Sequence, residues 1–380
     1  MQSRLLENTR AAALSRSSFD NVTKPGAGIN SGHAGLRPKG KFPALNEFCK
    51  RLIVDDFGSP TLEVVRTMAK SVVLMMSAYT EWDMAPMEEA YDVRKLWLAS
   101  DKEAFLGATT PDVRAIATNG VQGASAALID RCPKLEIIAC YGVGIDAIDI
   151  KRAKERGVRV TNTPDVLTDA VADFAFALIL GHLRRIVAGD AHVRSGAWRS
   201  GALPLGHGLQ GKTLGIFGFG RIGRAIARRA QGFGVTLAYC DVAPAAGVEA
   251  AYYADPVSLA HASDILVAAV SGGEATRGIV NAAVFDALGP SGVFVNVSRG
   301  SVVDEPALID ALARRRIAGA ALDVFWNEPN IDQRFLAFDN VLLQPHQSSG
   351  AVETRKAMGK LVRDNLEAHF AGRPLVTAVV

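Results

Sequence analysis

The run GKTLGIFGFGRIGRAIARRAQGFGVTLAYCD at residues 211–241 constrains this chain more than any other stretch. An apolar segment at 213–219 enters Gly218-x-Gly220-x-x-Gly223, a helical stretch follows, and a second apolar segment at 235–241 ends in Asp241. Three spaced glycines alone also arise for packing. Strand, turn, helix, strand and terminal acid in that order predict a βαβ dinucleotide-binding unit. Gly218 permits the tight turn, Gly220 lets backbone approach a pyrophosphate, and Gly223 lets the helix pack close on the strand. The amides of Arg221 and Ile222 then meet phosphate oxygens at the positive end of the helix. Asp241 stands where a carboxylate accepts hydrogen bonds from the adenosine ribose. It favours NAD, because it repels a 2′-phosphate and no Lys or Arg lies within 242–253. If Asp241 only caps a turn, NADP stays open.

The rest of the chain from Ser71 onward repeats this alternation. Strand-like runs at 71–78, 93–98, 113–118, 135–141 and 158–162 are separated by helix-like stretches such as 125–131 and 150–156. A long helical stretch at 167–187 leads to a second series. Its strands lie at 213–219, 235–241, 264–270, 292–298, 319–325 and 340–344, with helices at 221–233, 282–288 and 305–316 and a last helix at 353–370. Short apolar strands alternating with helices predict parallel sheets covered on both faces. The expected class is α/β, two doubly wound parallel-sheet domains with a ligand cleft between them.

Composition narrows the partners. Residues 1–70 hold 11 Lys and Arg against 6 Asp and Glu, whereas 71–380 hold 31 against 33, so the main body offers no basic surface for nucleic acid. The longest apolar stretch, 174–180, falls far short of the roughly 20 residues a membrane span needs. Cys49, Cys132, Cys140 and Cys240 form no CxxC pair and have no histidine at metal-ligand spacing, so no metal site is expected and a reducing, cytoplasmic setting is. Residues 1–16 carry three Arg and one acid, a weak transit-peptide composition opposed by Glu7 and the lack of a cleavage signal. The Gly/Pro/Lys-rich segment 23–41 points to a disordered or non-core extension over 1–70, with nothing catalytic in it.

Three strands of the second series end in residue types that a carbonyl reduction uses. The run at 292–298 ends at Arg299, that at 319–325 is followed by Glu328, and that at 340–344 ends in His346. In a parallel sheet these ends share one edge, the edge on which a dinucleotide lies. A positioned His346 can protonate a carbonyl oxygen, Glu328 orients the imidazole and favours its charged form, and the planar guanidinium of Arg299 grips a carboxylate. Each has a plainer alternative: a solvated loop arginine, a helix-start acid and a turn histidine. Their shared setting beside a dinucleotide site is what raises them above it.

With those residues in hand, the chain resembles the D-2-hydroxyacid dehydrogenases, nearest to the glyoxylate/hydroxypyruvate reductase branch. The supporting strings are TNTPDVLTDAVADFAFAL, GFGRIGRAIA, VNVSRGSVVDEPALIDAL, AGAALDVFWNEP and LLQPHQSSG, and the resemblance extends from about Ser71 to the C-terminus. The resemblance implies a Rossmann-type cofactor domain over 169–352 and a flavodoxin-like substrate domain built from 71–168 and 353–380. It makes Arg299, Glu328 and His346 the catalytic trio. It implies substrate contacts at Asn119, Gly120, Val143, Gly144 and Arg299, and cofactor contacts at Thr168, Val297, Arg299 and Asp323. It further implies NAD or NADP as cofactor, a small 2-keto or 2-hydroxy acid as substrate, and a homodimer whose arm lies near 188–209 and carries Trp198. The Gln-Ser-Ser-Gly after His346 departs from the Ile-Gly-Ser-Ala of many relatives, although Ser349 keeps the serine. A formate-type enzyme carries Gln where Glu328 stands, and a phosphorylated substrate calls for basic residues that 119–123 and 141–146 lack. A dinucleotide-sensing interaction protein of the same fold is the alternative outside catalysis.

Overall fold

The computed structural model describes residues 69–380. The expectations for the extension as far as residue 68, Cys49 among them, lie outside the described residues. Two parallel sheets organise the remainder. The first contains β1 (Val72–Met75), β2 (Asp92–Lys95), β3 (Val113–Asn119), β4 (Ile137–Tyr141) and β5 (Arg159–Thr161), in the order β2-β1-β3-β4-β5. The second contains β6 (Thr213–Phe217), β7 (Thr236–Cys240), β8 (Ala251–Tyr253), β9 (Ile265–Ala268), β10 (Val293–Asn296), β11 (Gly319–Leu322) and β12 (Val341–Leu343). Its order is β12-β11-β10-β9-β6-β7-β8. Both are doubly wound, and the strand order of the second reverses direction between β6 and β9.

Burial explains why these segments are strands. Every residue of β4, β9, β10 and β11 is buried, as expected for central strands with helices on both faces. The edge strands β2 and β8 are short and only partly buried. Cys132, Cys140 and Cys240 are buried free thiols. No helix among the described residues is long and apolar enough to cross a membrane.

The helical run at 167–187 is not one helix. It divides into Thr168–Leu183 and Ile186–Arg194, with Arg185 left-handed at φ 54°. The cause is tertiary: the Leu183 carbonyl accepts the amide of His207, so the returning segment ends the helix. Gly206 permits that approach, since a Cβ there would stand 2.4 Å from the Leu183 oxygen.

Helix Thr168–Leu183 packs on the second sheet and on helix Arg221–Ala230. Helix Val352–Phe370 returns to the first sheet. Tyr141 at the end of β4 donates its hydroxyl to the Arg355 carbonyl at 2.7 Å, and the fully buried Asp83 pairs with Arg363. The chain therefore passes between the two lobes twice, once between β5 and residue 168 and once between β12 and residue 352.

Candidate active site

The glycine loop sits where the strand order reverses. Gly218 has φ 94°, and a Cβ there would stand 2.4 Å from the backbone of Val270, just past β9. At Gly223 a Cβ would stand 2.1 Å from the Gly218 carbonyl, so only glycine lets helix Arg221–Ala230 lie this close. Gly220 differs: nothing lies within 4 Å of its missing side chain, and no side chain caps the helix that begins after it. Open space facing uncapped amides at a helix N-terminus suits a pyrophosphate, so the loop fits the dinucleotide expected of it. Asp241 lies behind the loop. Its carboxylate accepts the Phe219 amide at 2.6 Å and the Val242 amide at 2.7 Å, which gives the turn-capping alternative a definite geometry. Thr168 opens its helix with its amide on the Asp165 carbonyl at 3.0 Å, and Arg221 reaches the Asp165 carboxylate at 2.7 Å.

Arg299, Glu328 and His346 follow β10, β11 and β12, which are neighbours in the sheet, and all three line one cleft of about 490 Å³. His346 Nδ1 lies 2.6 Å from Glu328 Oε2, leaving Nε2 without a partner among the described residues. The other carboxylate oxygen accepts the Phe325 amide at 2.9 Å. Burial pushes the Glu328 carboxyl up, but the His346 hydrogen bond and charge, helped by the Phe325 amide and Arg299, outweigh it. The net result lies below the ordinary 4.5. His346 itself is held left-handed at φ 55°, with its amide on the Asp323 carbonyl at 2.8 Å.

Asp323, for which the resemblance implies a cofactor contact, is fully buried directly behind the loop that carries His346. Its two carboxylate oxygens accept the amides of Gln347 at 2.6 Å and Ser348 at 2.8 Å. Burial raises its carboxyl above the ordinary 3.8 despite those bonds. Asp323 clamps the loop that carries His346.

The first lobe supplies Asn119, Gly120, Val143 and Gly144 to the same cleft, and the second adds Ile222 and Val297. Thr168, Gly218, Gly220, Arg221, Gly223 and Asp241 lie outside its lining. Two charged lining residues were not foreseen. Asp146 accepts Arg299 Nε at 3.2 Å. Arg355 lies with its guanidinium 5.8 Å from the centre of the Tyr141 ring and makes no ion pair among the described residues. Asp146 stands two residues past Gly144 in the glycine-rich string CYGVGIDAID, which was the available signal; Arg355 had none.

Comparison with known proteins agrees with this geometry. The family described as D-isomer specific 2-hydroxyacid dehydrogenase, NAD binding domain, matches residues 176–348. A hydroxyphenylpyruvate reductase of Plectranthus scutellarioides is 46% identical over 308 residues, covering 81% of this chain and 98% of the relative. A glyoxylate/hydroxypyruvate reductase A of Arabidopsis thaliana matches at the same identity and coverage. Among solved structures, a 2-hydroxyacid dehydrogenase from Ketogulonicigenium vulgare superposes with a TM-score of 0.76 at 48% identity, covering 82% of this chain and 99% of that one. An NADPH-dependent glyoxylate/hydroxypyruvate reductase from Sinorhizobium meliloti, in complex with NADP and malonate, superposes with a TM-score of 0.76 at 43% identity, covering 82% and 97%. Full-length relatives at this identity, together with the paired His346 and Glu328 beside a dinucleotide loop, place the chain in the D-isomer specific 2-hydroxyacid dehydrogenase family.

Proposed function

We propose that this chain is an NAD(P)-dependent reductase that converts small 2-keto acids, of the glyoxylate and hydroxypyruvate kind, to 2-hydroxy acids and can run the reverse reaction. The observation that carries the proposal is the hydrogen-bonded His346–Glu328 pair and Arg299 at the ends of three adjacent strands, in one cleft beside the glycine loop. The names of the relatives support the substrate class.

The nicotinamide, when bound, supplies the hydride that reduces the carbonyl carbon. The residues do the rest. As the carbonyl oxygen gains negative charge, His346 Nε2 gives it a proton, so carbon and oxygen each gain one hydrogen. Glu328 on Nδ1 fixes the ring and stabilises its charged form. Arg299 holds the substrate carboxylate and polarises the carbonyl. Asn119, Gly120, Val143 and Gly144 enclose the substrate from the first lobe. Thr168, Gly218, Gly220, Arg221, Ile222, Gly223, Asp241, Val297, Arg299 and Asp323 are assigned to the dinucleotide side, with 71–168 and 353–380 as substrate domain and 169–352 as cofactor domain. Asp241 favours NAD by charge. The NADP bound by the Sinorhizobium meliloti relative makes NADPH the necessary second arm of any test.

We assign a homodimer to the arm near 188–209. Ile186, Val187, Val193, Trp198 and Leu205 are exposed apolar side chains, and a hollow of about 810 Å³ lies beside them at the amino ends of the second sheet's strands. Buried free thiols support a cytoplasmic setting. The deciding measurement is kcat/KM for glyoxylate, hydroxypyruvate and other 2-keto acids, each with NADH and NADPH. Oxidation of neither coenzyme by any of them removes the proposal.

A further inference from the structure

Arg299 belongs to the second lobe but lies in a slot made largely by the first. A Cβ at Gly144 would stand 1.7 Å from Arg299 Nη2, and one at Gly120 2.9 Å from the same atom. On the near side, a Cβ at Gly272 would stand 2.8 Å from Arg299 Cγ and 3.0 Å from Asp146 Oδ2. Gly120 and Gly144 therefore leave room for the guanidinium, and Gly272 leaves room for the arginine stem beside Asp146. Within the slot two of the three nitrogens are committed. Nε donates to Asp146 Oδ1 at 3.2 Å, and Nη1 donates to the Ser298 carbonyl at 2.8 Å. Nη2, against Gly120 and Gly144, has no protein acceptor among the described hydrogen bonds.

We propose that Asp146 is a positioning residue for Arg299: by holding Nε it fixes the fork so that Nη2, lodged against Gly120 and Gly144, presents its free edge to the substrate carboxylate. The assignment rests on the reductase reading above and names a residue that reading does not use. Both side chains are about four-fifths buried, at 22% and 19% exposure, so solvent screens the pair less than a surface pair. A long arginine chain has rotamer freedom to lose, and an acceptor fixed on the opposite lobe removes it before substrate arrives. The contrary possibility is that a carboxylate so close competes with an anionic substrate for the same guanidinium. The two predict opposite signs for removal of Asp146.

Asp146→Ala and Asp146→Asn separate them. The asparagine keeps an acceptor oxygen and drops the charge; the alanine drops both. Positioning predicts that Asp146→Ala raises KM for glyoxylate about tenfold or more, while Asp146→Asn stays within about threefold of wild type. A lower KM in either variant, or equal rises in both, overturns the proposal. A second readout needs no turnover. Phenylglyoxal labelling, mapped by peptide mass to Arg299, should run several-fold faster in Asp146→Ala than in wild type or Asp146→Asn, with thermal melting checking that each variant is folded. If wild type reduces no keto acid but this labelling pattern holds, the reductase reading fails and the positioning role stands. Unchanged labelling ends the positioning role whatever the kinetics.

Discussion

His346 is bound on three sides: Glu328 on its ring, Asp323 on its amide, and the Asp323 carboxylate on the two residues after it. His346→Ala removes the proton donor without touching that clamp. We expect kcat to fall about 10²- to 10⁴-fold with a melting temperature close to wild type; a near-wild-type rate would dismiss the assigned donor. Glu328 carries a pH prediction. Its carboxyl lies below 4.5 when folded, so its stabilising contribution is complete above the unfolded value and is lost as pH falls through the lower folded one. The stability gap between wild type and Glu328→Gln should therefore close as pH drops below 4.5, measured by denaturant unfolding. Arg299, Glu328 and His346 could be found from sequence because each lies within three residues of the end of an apolar run, so its strand-end place is written locally. Asp146 and Arg355 could not be weighed that way: the glycine-rich string marks the loop of Asp146 but not its role. Their importance comes from what faces them across a cleft, and no local pattern encodes that.

Helix Arg221–Ala230 and the loop before it make contrasting demands on two glycines. Gly220 has a negative φ, −73°, and open space around its missing side chain. Gly220→Ala should melt like wild type yet bind coenzyme more weakly, because its methyl group takes room meant for phosphate. Gly223→Ala puts a carbon against the Gly218 carbonyl and pushes the helix off β6. It should lose coenzyme affinity and also about 1–3 kcal/mol of stability. Titrating NADH by fluorescence alongside melting curves distinguishes them; equal melting temperatures would contradict the contact. Most strands were predictable because buried central strands are uninterrupted apolar runs. Strand β8 was missed because a three-residue edge, AYY, carries no such run. Helices Glu81–Ala90, Lys102–Thr109 and Pro256–His261 were likewise unforeseen. The first carries an internal proline, Pro86, and the third is only six residues long, too short to show a helical period. The break at Arg185 was invisible because it is imposed by His207, twenty-two residues on.

The two sheets and their parallel winding were foreseeable, since that alternation of strand and helix has few other solutions. How the second lobe responds to acid was not. His182 lies against Gly319, where a Cβ would stand 2.4 Å from the ring. Burial, with help from the charges of Arg185 and His207, lowers its pKa to about 4. A neutral buried histidine stabilises fully above the unfolded value of 6.5, and that contribution, up to about 3 kcal/mol, drains away as pH falls from 6.5 toward 4. His182→Leu should flatten the melting temperature over that interval; a parallel curve would show that other groups govern acid sensitivity. The proposed dimer is tested by light scattering, where a solution mass of one chain would reject it.

Because the backbone passes between the lobes twice, any opening resembles a door hung on two pins. Rotation about the line joining them is cheap, and twisting is resisted. One of those pins lies past Ser348, and because Asp323 holds residues 346–348 to the second lobe, the imidazole stays off the hinge. The proton donor thus keeps its aim on the dinucleotide side however far the door stands ajar, and the first lobe is the leaf that swings toward it.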